Sequence, residues 1–162
     1  MSLRYAWNTN GCANHRLGDA IALIDEAGYD GVALTLDHHH LDPFAEDWTR
    51  AAERVAAELA RRRLGTVIET GARFLLDPRA KHEPTLVSPE PEGRALRRNF
   101  LCRAVRIAAI TGAEAVSFWA GVPRRGVGRL AARAWLREGI AALAEVARAE
   151  GVTLALEPEP GM

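Results

Sequence analysis

The sequence predicts an α/β fold built from parallel βα repeats, on three observations. An alanine-rich amphipathic segment, a glycine and a short β-type run recur in series, as "AIALIDEAGYDGVALTL", "AAELARRRLGTVIET", "AVRIAAITGAEAVSFW" and "ALAEVARAEGVTLALE". The β-type runs begin about 30 to 50 residues apart, the room a helical crossover needs between neighbours in a parallel sheet. At 162 residues the chain is long enough to bury a core of its own, so neither a disulfide nor a structural metal is required for folding.

Taken in order, "LRYAWN" reads as an opening strand near 3–8, and an amphipathic helix near 16–27 closes at Gly28 before a strand near 31–37. The next helix, near 47–64, runs to Gly65 and a strand near 66–70. "GARFLLDPRAKHEPTLVSPEPEG" follows, and its four prolines and polar residues mark an irregular excursion at the strand carboxyl ends, not an added domain. A helix near 93–111 ends at Gly112 ahead of a strand near 114–119, and a helix near 132–150 ends at Gly151 ahead of a strand near 152–157. At each junction a glycine at the helix end suits the left-handed turn that stops a helix. Residues 1–162 are expected to make up one domain.

Charge narrows the function classes. Lys+Arg 21 against Asp+Glu 21 leaves no net charge, hence no field to gather nucleic acid or an anionic membrane. Cys12 and Cys102 form no CxxC pair, so a zinc knuckle or redox dithiol is not indicated. The amino terminus has no basic segment leading into an apolar one, and no stretch approaches the ~20 apolar residues of a membrane span. A soluble, cytoplasmic protein with reduced thiols is expected.

Strand parity separates two faces. Val32, Leu34, Leu36, Val116, Phe118, Val152, Leu154 and Leu156 make one bulky and apolar. Ala6, Asn8, Ala33, Thr35, Asp37, Ala115, Ser117, Trp119, Thr153, Ala155 and Glu157 make the other small and finally polar; the third strand is ambiguous by parity, and its Val67 and Glu69 side would join this second set. A doubly wound sheet is apolar on both faces, whereas a barrel wall is covered by helices outside only and opens at its carboxyl end into a site. The asymmetry favours the barrel, and places Asn8, Asp37, Glu69, Trp119 and Glu157 around one mouth.

"YDGVALTL", "ETGARFLLDP", "AEAVSFW" and above all "VTLALEPEPG" resemble the xylose-isomerase-like superfamily of TIM barrels, the sugar phosphate isomerases and epimerases, which also holds the endonuclease IV type of nuclease. The resemblance covers five of eight βα units. It implies a partial TIM (β/α)8 barrel over 1–162, truncated after the fifth strand, since eight units need ~250 residues. In the isomerases and epimerases a glutamate ending the fifth strand in an "LxxEP" context binds a divalent metal, and Glu157 stands there. The resemblance places the remaining ligands on the sixth, seventh and eighth strands. Mn2+ or Mg2+ is the implied ion, with Zn2+ an alternative; hard cations take oxygen ligands. In the nuclease branch histidines end the third and fourth strands, where this chain reads "IET" and "SFW", which argues against nucleic-acid processing.

Each candidate has a plainer reading. Glu157 as metal ligand and proton-transfer group competes with a carboxylate that caps a helix or pairs with arginine. His38 and His39, in "LDHHHLDP", are placed on the substrate side or in a solvated loop. Glu69 orients a substrate hydroxyl or pairs with Arg73, itself a candidate substrate contact. Trp119 offers a flat apolar wall to a sugar ring or closes the barrel top. Arg124 and Arg125 in "GVPRRGVG" could clamp an anion, though the stretch has no Walker pattern. The implied reaction is metal-assisted isomerisation or epimerisation of a small sugar, sugar phosphate or polyol. Two other readings remain open: an incomplete barrel that associates with itself through its open sheet edges, and a flavodoxin-like binding domain.

Overall fold

A computed structural model describes residues 3–158. Glu159 and Pro160, the end of the "LALEPEP" stretch, lie outside the described residues. Five strands, β1 (Ala6–Asn8), β2 (Gly31–Thr35), β3 (Gly65–Glu69), β4 (Ala115–Trp119) and β5 (Thr153–Glu157), alternate with helices α1 (Leu17–Glu26), α2 (Trp48–Arg62), α3 (Pro91–Thr111) and α4 (Arg129–Glu150). The sheet order is β1-β2-β3-β4-β5 and every pairing is parallel. Sequential order throughout is that of a barrel wall; a flavodoxin-like sheet would run 2-1-3-4-5.

The bulky face meets the helices. Val32, Leu34, Leu36, Ile68, Val116 and Phe118 are buried and pack with Ile21 and Ile24 of α1, Val55 and Leu59 of α2, Phe100, Leu101 and Val105 of α3, and Leu143 of α4. The small face is uncovered, so Asn8, Ala33, Val67, Glu69, Ser117 and Trp119 are only half-buried. Such one-sided covering is what distinguishes a barrel wall from a doubly wound sheet.

Several boundaries differ from the sequence reading for local reasons. β1 pairs only from Ala6, and Leu3 and Tyr5 before it are exposed. β2 ends at Thr35 because Asp37 turns back on itself, its Oδ1 accepting the His39 and His40 amides at 2.9 Å each. Arg63 takes the left-handed position after α2 (φ 58), and Gly65 instead opens β3.

Gly31 and Gly65 face each other in the β2–β3 ladder. A Cβ on Gly31 would stand 2.7 Å from the Gly65 carbonyl oxygen, which is backbone and cannot swing away. Gly31→Ala is therefore expected to lower stability by about 1–3 kcal/mol, read as a lower urea midpoint with unchanged slope; an unchanged midpoint would contradict this packing.

Candidate active site

At the carboxyl ends of the strands a cavity of about 270 Å³ is lined by Asn8, Asn10, Thr35, Glu69, Gly71, Arg73, His82, Trp119 and Glu157. Strand polarity explains its position. Parallel strands deliver their terminal side chains to one end, and there the inward parity ends in Asn8, Thr35, Glu69, Trp119 and Glu157. The loop after β3 adds Gly71, Arg73 and His82, and a 3-10 turn (Thr9–Cys12) after β1 adds Asn10.

The two carboxylates differ in their partners. Thr35 Oγ1 donates to Glu69 Oε2 at 3.2 Å and lies 2.8 Å from Asn8 Oδ1. Burial raises the Glu69 carboxyl above its usual range; the Thr35 hydroxyl opposes this, the Glu157 charge adds to it, and the Gly71 amide and His82 offset it. Glu157 accepts the Ser117 hydroxyl from the neighbouring strand. Glu69 and Arg73 form no ion pair among the described residues.

Because the folded-state pKa of Glu69 is raised, its charge opposes folding at neutral pH. That opposition fades as pH falls through the folded pKa and vanishes below the unfolded value of about 4.3. In EDTA, Glu69→Gln should thus have a higher Tm than the parent at pH 7 and the same Tm near about pH 3. A lower Tm at pH 7 would show the carboxylate to be net stabilising.

The geometry brings together some sequence candidates and leaves others apart. Glu69, Arg73, Trp119 and Glu157 share the cavity. His38 and His39 are exposed, their rings 4.2 Å apart centre to centre, and neither lines it. His40 Nε2 lies 3.2 Å from the His15 carbonyl. Asp37 is buried in its own turn, so Thr35 takes the mouth position the strand reading gave it. Arg124 pairs with Glu83 at 3.2 Å and Glu90 at 3.8 Å, joining the loop after β4 to the loop after β3.

Asn10 and His82 were missed by the sequence reading. Asn10 Oδ1 is buried without a hydrogen-bond partner among the described residues, an unmet polar atom on the cavity wall. His82 sits edge-on to Trp119, with ring centres 5.8 Å apart. A second cavity at the amino-terminal strand ends is lined by Arg4, Tyr5, Gly65 and Glu114 and bridged by the Arg4–Glu114 pair at 2.6 Å; that end of such a barrel serves stability.

Residues 21–162 match the family described as xylose isomerase-like TIM barrel. The chain belongs to that family. Among solved structures it is similar to a D-tagatose 3-epimerase-like protein, with TM-score 0.75 and 15% identity over 99% of this chain and 54% of that one. A D-psicose 3-epimerase solved in the presence of D-fructose gives TM-score 0.70 and 15% identity over 94% and 51%. An L-ribulose 3-epimerase gives 0.70 and 21% over 96% and 49%. At these identities the likeness is one of fold, and this xylose isomerase-like chain spans about half the length of each. No curated protein matches the chain.

A metal has limited means of attachment here. Among the described residues no three His, Cys, Asp or Glu side chains converge on a point. Glu157 and Glu69 share a wall, and two carboxylates do not close a coordination sphere for a divalent ion. No described helix is long and apolar enough to cross a membrane.

Proposed function

We propose that this chain provides the substrate-side wall of a sugar or sugar-phosphate isomerase or epimerase. The observation that carries the reading is the mouth itself: two carboxylates, an amide oxygen with no partner, an arginine and an indole converge on one polar cavity at the carboxyl ends of the strands. Sugars present alternating hydroxyls and C–H faces, so a ring of acceptors and donors beside one flat aromatic suits them.

The roles follow from the side chains. Trp119 offers its face to the C–H surface of the substrate, Arg73 donates to its oxygens, and Asn8 and Asn10 bond its hydroxyls. Epimerisation or isomerisation through an enediolate takes a proton from a carbon beside a carbonyl and returns it, whereas a hydride shift moves that hydrogen with its electron pair and needs no base at carbon. Burial makes the Glu69 carboxyl a stronger base than an exposed glutamate, and Glu157, held by Ser117, stands in the same cavity. In this reading Glu157 is also the one family-type ligand of a divalent ion, Mn2+ or Mg2+ with Zn2+ as alternative, whose chemistry is to polarise the carbonyl and adjacent hydroxyl. The other ligands would come from outside the described residues.

Calorimetric titration with Mn2+, repeated on Glu157→Gln, tests the metal assignment. Binding in the parent that is lost in the variant supports it; equal binding by both proteins, or none by the parent, contradicts Glu157 as a ligand in this chain.

A second reading rests on the sheet edges. Among the described residues β1 and β5 each have one neighbouring strand, and Leu3, Tyr5, Trp7 and Leu156 are exposed along them. An open edge beside apolar side chains favours pairing with another chain. Self-association, seen as early elution in size-exclusion chromatography at raised concentration, is the expected result; a monomer throughout would contradict it.

A further inference from the structure

The loop between β3 and α3 contains a feature that sugar binding by the strand ends does not require. Ala72 (φ 58), Arg73 (φ 32) and His82 (φ 66) all hold positive φ without being glycine, a conformation that non-glycine residues keep only where the surroundings enforce it. Here the enforcement is visible. The His82 amide donates to the Arg73 carbonyl at 2.5 Å, closing the loop on itself, and His82 Nδ1 bonds the Gly71 carbonyl. Both clamps turn the Arg73 and His82 side chains to the cavity wall.

A carbonyl oxygen only accepts, so Nδ1 must carry the hydrogen. In the neutral ring the lone pair therefore lies on Nε2, which has no hydrogen-bond partner among the described residues. The Trp119 ring meets the imidazole edge-on and restricts its rotation. On the same cavity stands Asn10 with its own unpartnered oxygen.

We propose that His82 is a specificity-determining residue of this mouth, its Nε2 accepting a hydrogen bond from a hydroxyl of a sugar or polyol lying against Trp119. This deepens the sugar reading above and rests on it. The strained loop fixes the acceptor in place before the ligand arrives, so little ordering accompanies binding. Substrates that lack a hydroxyl at this position would leave the imidazole lone pair unpaired in the closed contact and bind more weakly.

His82→Asn is the informative variant. Asparagine tolerates positive φ and can still donate to the Gly71 carbonyl from its amide, but it has no atom where Nε2 stands. D-fructose is the probe, titrated into the full chain and followed by two-dimensional 1H–15N spectra. The variant should keep the parent's denaturation midpoint and bind about tenfold more weakly, the loss of one hydrogen bond to a partly desolvated hydroxyl. A long-range 1H–15N experiment on the ligand-free parent should show His82 protonated on Nδ1 and bare on Nε2. Equal affinity in parent and variant, or the opposite tautomer, overturns the role of His82 alone. Absence of D-fructose binding by the parent overturns the sugar reading and this inference with it.

Discussion

Arg97→Met is expected to raise the stability of the fold by about 1–4 kcal/mol. Arg97 lies in the first half of α3, is 0% exposed, and none of its guanidinium nitrogens has a hydrogen-bond partner among the described residues. The Phe100 ring stands 5.5 Å from the guanidinium carbon to the centroid. Burial pushes the guanidinium down to about 10, while Glu69 and Glu83 pull it back up. A guanidinium pushed down by burial means that the charged form opposes folding at neutral pH. A cation–π contact of about 0.5–2 kcal/mol does not offset three buried guanidinium nitrogens without partners among the described residues. Methionine fills a similar volume without the charge. Urea denaturation at pH 7 decides the matter: a higher midpoint is the expected result, and a midpoint lowered by more than 1 kcal/mol equivalent would show that Glu69 or Glu83 uses this cation. In that second case the mouth carboxylate and the α3 arginine would be one electrostatic unit.

Gly121→Ala should have a large effect in the opposite direction, lowering stability by about 2–4 kcal/mol. Gly121 stands two residues past β4 with φ +89, a conformation in which an L side chain is strained. A Cβ there would also come within 2.5 Å of Thr85 Oγ1 and 2.7 Å of its Cγ2. Thr85 is buried, and its amide is held by the Ser88 hydroxyl at 2.7 Å, so it has little freedom to withdraw. The collision separates the loop carrying His82 from the segment that follows Trp119. Thermal denaturation should show a lower Tm, and D-fructose binding should weaken as well; a variant with parental Tm would contradict the close approach of the two loops.

Much of this architecture was legible because it depends on periodicity. Alternation along the strands separated Val32, Leu34 and Leu36 from Ala33 and Thr35, and those two sets do face helices and barrel interior respectively. Helix ends were legible where glycine followed them, at Gly112 and Gly151. The site was legible only where it sits on strands. Glu69, Trp119 and Glu157 could be placed by counting along alternating residues, and they line one cavity.

What the sequence hid lies in loops, where no period operates. His82 stands thirteen residues beyond Glu69, inside a proline-rich excursion, and reaches the mouth through backbone bonds between Arg73, Gly71 and itself. Asn10 arrives on a 3-10 turn capped by Asn8, whose Oδ1 accepts the Asn10 amide at 2.8 Å. The run of His38, His39 and His40 drew attention by composition, yet Asp37 takes up two of their amides in a local turn and none of the three lines the cavity. Local side chain to backbone bonds of this kind overrule strand parity within two residues. Arg97 was invisible for a different reason: an arginine in an amphipathic helix normally marks the solvent face.

The central claim, that the mouth formed by the five strand ends binds a small sugar, is tested most directly by mapping D-fructose onto the ligand-free chain through 1H–15N shift perturbation. The account predicts saturable shifts confined to Asn8, Asn10, Thr35, Glu69, Gly71, Arg73, His82, Glu157 and the Trp119 indole. Shifts centred on His38 to His40, on the amino-terminal cavity between Arg4 and Glu114, or nowhere on the chain would contradict it.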